Sequence, residues 1–148
     1  MYKKILVALE NSRADESILP HVAELAARFG SQMLLLHVAD GWVARNFNRL
    51  KLAESDEMKA DRQYLESIVA RLREQGRDAS CQLALGDPPR EIIRVAEREH
   101  CDLIAMASHG HRFLGDFFLG STINHVRHKT RIPILLVRAG TKAEKRAS

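Results

Sequence analysis

Five short apolar runs, separated by stretches of helical period, constrain this chain more than anything else in it. The runs are Ile5 to Leu9, Met33 to Val38, Ala79 to Leu85, Asp102 to Met106 and Ile134 to Val137. Most are near-continuous in Ile, Leu, Val, Met and Ala, the pattern of strands covered on both faces. Ala79 to Leu85 instead alternates, with Cys81, Leu83 and Leu85 against Ser80, Gln82 and Ala84, which suits a strand nearer a sheet edge. Between the runs lie apolar stripes at helical spacing. Val22, Ala23, Leu25, Ala26 and Phe29 form the first, closed by Gly30. Met58, Leu65, Ile68, Val69 and Leu72 form the seam of a long helix over Ala53 to Gln75, stopped by Gly76. Ile92, Ile93, Val95 and Ala96 follow a strong start signal, with Asp87 as N-cap and Pro88 in the first helical position. Ile123 to Lys129 is the fourth.

Two places resist this scheme. Ser12 and Asp15 have the spacing of a capping box, yet Pro20 follows, and a proline inside a helix costs ~3 kcal/mol. Either the first helix starts near Ser17, or it begins at Ser12 and is kinked. Gly41 to Lys51 has no clean period and reads as a loop, a candidate lid beside any ligand.

Strands alternating with helices at this spacing imply right-handed crossovers and an α/β fold: an open, Rossmann-like, five-stranded parallel sheet with helices on both faces. In such sheets ligands bind outside the carboxyl ends of the strands, where the strand order reverses. Three loops sit at carboxyl ends and should converge: Glu10-Asn11-Ser12, Ala39-Asp40 and Ala107-Ser108-His109-Gly110.

The last of these loops is the chemically informative one. After Met106 the chain runs Ala107-Ser108-His109-Gly110, then nine residues from His111 to Leu119, then Gly120-Ser121-Thr122 and a helix. Glycines let backbone N–H groups approach an anion, and a helix start adds unpaired donors and a positive dipole end, so this order prepares a phosphate pocket. Gly115 to Thr122 is a near-match to a Walker A loop, but Ser121 stands where that loop needs lysine. Phe117, Phe118 and Leu119 are too bulky to wrap phosphate and read better as an apolar patch packed on the domain or a partner. Without the lysine or an evident base, fast phosphoryl transfer lacks its usual parts.

Composition narrows the class. At 148 residues, 45% hydrophobic and 28% charged, the chain suits one globular domain over 1–138, with a basic tail over 139–148 expected to be disordered. The net charge of +4 is interspersed, and one Trp with two Tyr supply no aromatic face for nucleic acid. Cys81 and Cys101 form no CxxC pair and suit a reducing cytoplasm. The N-terminal apolar run meets Glu10 too soon for a signal peptide, and nothing approaches the ~20 apolar residues of a membrane span. Seven histidines include His109-x-His111 and His125-x-x-His128, but they lack the companion ligands and spacing of a zinc site, and no metal is expected. His109 and Arg112 either line the phosphate loop or simply face solvent. His21, His37 and His100 read as structural or exposed.

The motif resembles the Gly-x-x-Gly, nine residues, Gly-Ser/Thr signature of nucleotide-binding universal stress proteins, here with Ala107 in the first position, then Gly110, Gly120 and Ser121. Lys4 to Ala8 is similar to the family's first strand, Gly86 to Ile93 to its Gly-x-Pro turn and helix, and Pro133 to Val137 to its final strand. The resemblance implies a strand order of 3-2-1-4-5, homodimers paired through the last strand (Ile134 to Val137), and ATP (or AMP or ADP) across the tips of strands one, two and four. It implies that Gly110, Gly120, Ser121 and Thr122 hold the phosphates, with Mg²⁺ or a similar ion neutralising their charge. The backbone of Val38, with Ala8 and Leu9, would frame the adenine. Glu10 would reach the ribose, with Met106 and Ala107 beside it.

Two departures bear on that expectation. Glu10 stands where the family usually has Asp, keeping the charge but adding a methylene. Ala107 replaces a glycine, which costs ~1–2 kcal/mol if the site needs a left-handed backbone and little if it is extended. The function implied is a cytoplasmic, adenine-nucleotide-dependent sensor or adaptor in a stress response, with an unknown protein partner and at most weak hydrolysis. A slow ATPase or hydrolase in the same pocket, and a nucleotide-free dimeric interaction module, are the alternatives.

Overall fold

The computed structural model describes residues 1–39, 56–109 and 120–140. Within them the chain runs β1 (Lys4–Ala8), α1 (Asp15–Phe29), β2 (Gln32–Ala39), α2 (Asp56–Glu74), β3 (Ala79–Leu85), α3 (Pro88–Arg98), β4 (Leu103–Ser108), α4 (Gly120–Lys129) and β5 (Ile134–Arg138). The strands form one sheet of order β3-β2-β1-β4-β5, and every neighbouring pair is parallel. β1 is therefore central, and the chain moves to one side for β2 and β3 and to the other for β4 and β5. The switch point lies between the ends of β1 and β4.

Strand periodicity divides the core into two layers. Ile5, Val7, Met33, Leu35, Leu103 and Ala105 point to one face, where α1 supplies Ile18 and Val22 and α2 supplies Leu65 and Ile68. Leu6, Ala8, Leu34, Leu36, Ile104 and Met106 point to the other, against Ile92 and Val95 of α3 and Val126 of α4. Because β1 is covered on both sides, every residue from Ile5 to Leu9 is buried. That explains why its sequence is continuous rather than alternating. Among the described residues, no helix is long and apolar enough to cross a membrane.

Several boundaries differ from the sequence expectation. α1 begins at Asp15, between the two expected starts, and a run of i to i+3 turns over Ser12 to Ser17 leads into it. Pro20 is accommodated as its sixth residue. Ser12 and Asp15 do not form a capping box. Ser12 Oγ accepts the Ala14 N–H, while Asp15 reaches back past Ser12 to the N–H groups of Glu10 and Asn11. β4 continues to Ser108, so Ala107 belongs to the strand and pairs with Val137. Its backbone is extended, since among the described residues the non-glycine positions with positive φ are Tyr2, Asn11 and His100. α4 starts at Gly120, so Gly-Ser-Thr forms its first turn rather than preceding it. Gly30 and Gly76 take the left-handed conformation just beyond α1 and α2, at φ 65° and 79°. Asp87 is the N-cap of α3 as expected, and Pro88 opens that helix.

Beyond β5 the Ala139 N–H bonds the Ser108 carbonyl and the Gly140 N–H bonds Ser17 Oγ, drawing the chain back over α1. Asp40, the Gly41 to Lys51 loop, Gly110, Arg112, the Phe117 to Leu119 patch and the tail over 141–148 lie outside the described residues.

Candidate functional site

β1 ends at the switch point, and what its last residues do there is set by Asp15. The Asp15 carboxylate is 2% exposed and takes the Glu10 N–H on Oδ1 and the Asn11 N–H on Oδ2, both at 2.9 Å. Tyr64, on α2, donates its hydroxyl to Oδ2 at 2.5 Å. Burial first, and then donation to the Asp15 charge, push the Tyr64 phenol well above its ordinary pKa, so it is a fixed donor. Asn11 is held at φ 59° by these bonds and by its Nδ2, which donates to Asp61 Oδ1 at 2.9 Å. A left-handed backbone is tolerated by Asn better than by most residues.

The turn aims Glu10 inward. Its side chain is buried, with both oxygens 2.8 Å from His109 Nε2, and Ser12 Oγ donates to Oε2 at 2.9 Å. His109 follows the last residue of β4, so this pair spans the gap between the ends of β1 and β4. Burial raises the Glu10 pKa. The His109 hydrogen bond and charge and the Ser12 hydroxyl oppose that rise, and Asp15 adds to it.

One strand over, His37 fixes the back of the crevice. Its Nδ1 lies 2.9 Å from the Leu9 carbonyl, which can only accept, so Nδ1 carries the proton. Its Nε2 faces Asp61 Oδ2 at 3.6 Å. The β1–β2 ladder closes with the Leu9 N–H donating to the Leu36 carbonyl at 2.8 Å. Val38, two residues further along, directs its peptide groups to the same side, where β1 has already left the sheet.

Gly120, Ser121 and Thr122 form the first turn of α4, which contains no acidic residue, while Arg127, His128 and Lys129 occupy the last. Within that turn no carboxylate offsets the positive end of the helix dipole.

Of the sequence-predicted residues, Ala8, Leu9, Val38, Met106 and Ala107 are all buried at the strand ends, and Glu10 and His109 are in direct contact. Asn11 belongs to a loop expected to converge here, whereas Asp15, Asp61, Tyr64 and His37 were not expected to shape the site. One signal was present. The apolar seam of α2 passes from Met58 to Leu65 across Asp61 at helical spacing, and a carboxylate in a core-facing stripe needs a buried polar partner. Among the described residues, no group of three or more His, Cys, Asp or Glu could hold a metal ion. Burial pushes the Cys101 thiol up to about 11, which makes it a packing residue rather than a nucleophile. A groove of about 700 Å³ lies between α1 and α2, lined by Leu19, Ile68, Leu72 and Arg71 and by Asn11 and Asp15 of the turn.

A parallel sheet whose strand order reverses between β1 and β4, with a buried acid at the end of the first strand, defines a doubly wound α/β domain. The profile of the Universal stress protein family matches residues 1–138. The chain belongs to that family. It is 31% identical to universal stress protein MJ0577 of Methanocaldococcus jannaschii, over 93% of this chain and 96% of that one. It is 27% identical to universal stress protein Sll1388 of Synechocystis, over 92% and 97%. The solved structure of MJ0577 superposes with a TM-score of 0.74 at 30% identity, covering 96% of this chain and 99% of that one. A universal stress protein of Archaeoglobus fulgidus in complex with dAMP shares the fold, with a TM-score of 0.67 at 24% identity and coverage of 92% and 98%. So does a universal stress protein in complex with cAMP, with a TM-score of 0.67 at 16% identity and coverage of 94% and 98%.

Proposed function

We propose that this protein binds an adenine nucleotide in the switch-point crevice and works as a nucleotide-dependent sensor or adaptor in a stress response. The observation that carries this reading is the buried Glu10 carboxylate at the mouth of the crevice, with the Val38 backbone to one side and an acid-free helix N-terminus on the phosphate side. The dAMP and cAMP bound by structural neighbours support the ligand class. In this assignment the peptide groups of Val38, with Ala8 and Leu9, meet the adenine. Glu10 accepts from the ribose, beside Met106 and Ala107. The amides of Gly120, Ser121 and Thr122, with Gly110, hold the phosphates, and His109 and Arg112 stand beside them. Mg²⁺ supplies charge neutralisation on the phosphates when bound, and no residue here is assigned to it.

Two further parts of the reading rest on separate observations. β5 is an edge strand, and Leu136 on it is 47% exposed, which supports a homodimer formed along β5. Cys81 and Cys101 are free thiols, which supports a cytoplasmic location.

A thermal-shift titration tests the binding. At a hundredfold excess over Kd a nucleotide adds ~2.7 kcal/mol, or roughly 5–10 °C for a domain of this size. ATP with Mg²⁺, ADP, AMP and cyclic AMP should be compared. No shift with any of them would overturn the assignment.

A further inference from the structure

The pair that closes the crevice is also the pair a nucleotide would have to open. Glu10 is committed on both oxygens, to His109 Nε2 at 2.8 Å and to Ser12 Oγ at 2.9 Å. The contact joins the end of β1 to the end of β4 across the point where strand order reverses, and it leaves Glu10 only 7% exposed. A ribose diol would need the same acceptor oxygens.

Resting on the nucleotide reading above, we propose that Glu10–His109 is an autoinhibitory clasp: it holds the crevice closed in the free protein, and a nucleotide binds by taking the Glu10 carboxylate from His109. Clasp and ligand are then alternatives at one carboxylate. Weakening the clasp tightens nucleotide binding, and nucleotide binding releases His109.

The experiment is calorimetric titration of AMP and of ATP with Mg²⁺ into wild type, His109→Ala and His109→Gln, with circular dichroism confirming that each variant is folded. Losing a hydrogen bond to a carboxylate corresponds to about a tenfold change in affinity, so His109→Ala binds about tenfold tighter than wild type. His109→Gln keeps an N–H donor for Glu10, so it binds with intermediate affinity. Wild-type binding with His109→Ala equal or weaker would overturn the clasp and leave the nucleotide assignment standing. No binding by any form would overturn both.

Discussion

The Tyr64 hydroxyl and the Asp15 carboxylate meet at 2.5 Å, and this bond, with that from Asn11 Nδ2 to Asp61, ties α2 to the turn on which Glu10 is mounted. Asp15 in turn holds the peptide N–H groups of Glu10 and Asn11. The direction of the Glu10 side chain therefore depends on residues of both α1 and α2.

Removing the hydroxyl tests that arrangement. Tyr64→Phe keeps the ring and its packing and deletes one hydrogen bond to an ionised acceptor, worth about 1.5–3 kcal/mol. Asp15→Ala costs more, about 3–5 kcal/mol, because two N–H groups in a buried turn lose their acceptor together. Urea unfolding of both variants measures this. A Tyr64→Phe protein as stable as wild type would show that the bond does not hold the turn.

Glu10 gives the fold a pH dependence of definite sign. Its folded-state pKa lies above the ordinary 4.5, with burial as the leading cause. The native state therefore binds a proton more readily than the unfolded chain over a window that opens near 4.5 and extends upward to the folded pKa. Within that window Glu10 makes stability fall as pH rises, and the deficit persists at neutral pH. Glu10→Gln removes it. The stability of Glu10→Gln relative to wild type should improve from pH 4.5 to pH 7 in denaturation midpoints. A constant difference across that range would show that the Glu10 carboxyl titrates alike in both states.

Much of this was readable from the chain, and the remainder had a common cause. The five apolar runs located the strands because each is buried by two layers and so carries its own hydrophobic record. Helix starts were less legible. α1 begins where Asp15 stops capping locally and instead bonds two residues further back, and nothing in Ser12 to Asp15 alone distinguishes those uses. Motif position nominated the proposed site residues, but it says nothing of the Glu10–His109 contact, which joins residues 99 apart, or of the Asp15–Tyr64 contact, which joins residues 49 apart. Pairings of that range depend on the sheet bringing strand ends together. Only Asp61, a carboxylate in a core-facing helix stripe, advertised that a polar network lay beneath.

Ala107 is where the sequence differs from the family motif, and its backbone determines what the difference means. It lies extended in β4, paired with Val137 and 2% exposed. A glycine there has no left-handed conformation to supply. Ala107→Gly should therefore lower stability by about 0.5–1 kcal/mol through strand-interior entropy. Nucleotide affinity should change less than threefold, an amount on the order of 0.6 kcal/mol. Affinity increasing tenfold on this substitution would indicate that the alanine methyl, rather than the backbone, restricts the crevice.

β5 ends the sheet, and its outward residue tests the assembly. Ile134, Leu135 and Val137 are half-buried against the domain, whereas Leu136 is 47% exposed on a strand that pairs on one side only, with β4. An exposed apolar edge strand is an association site unless something blunts it. Leu136→Lys places a charge in that strip without touching the core, so unfolding free energy should stay within about 0.5 kcal/mol of wild type. The proposed homodimer should nonetheless dissociate, because a lysine facing its own copy across a two-fold axis is both repelled and desolvated. Sedimentation velocity at micromolar concentration reads the result directly. Wild type should sediment as a dimer and Leu136→Lys as a monomer. A variant that remains dimeric would move the interface away from β5.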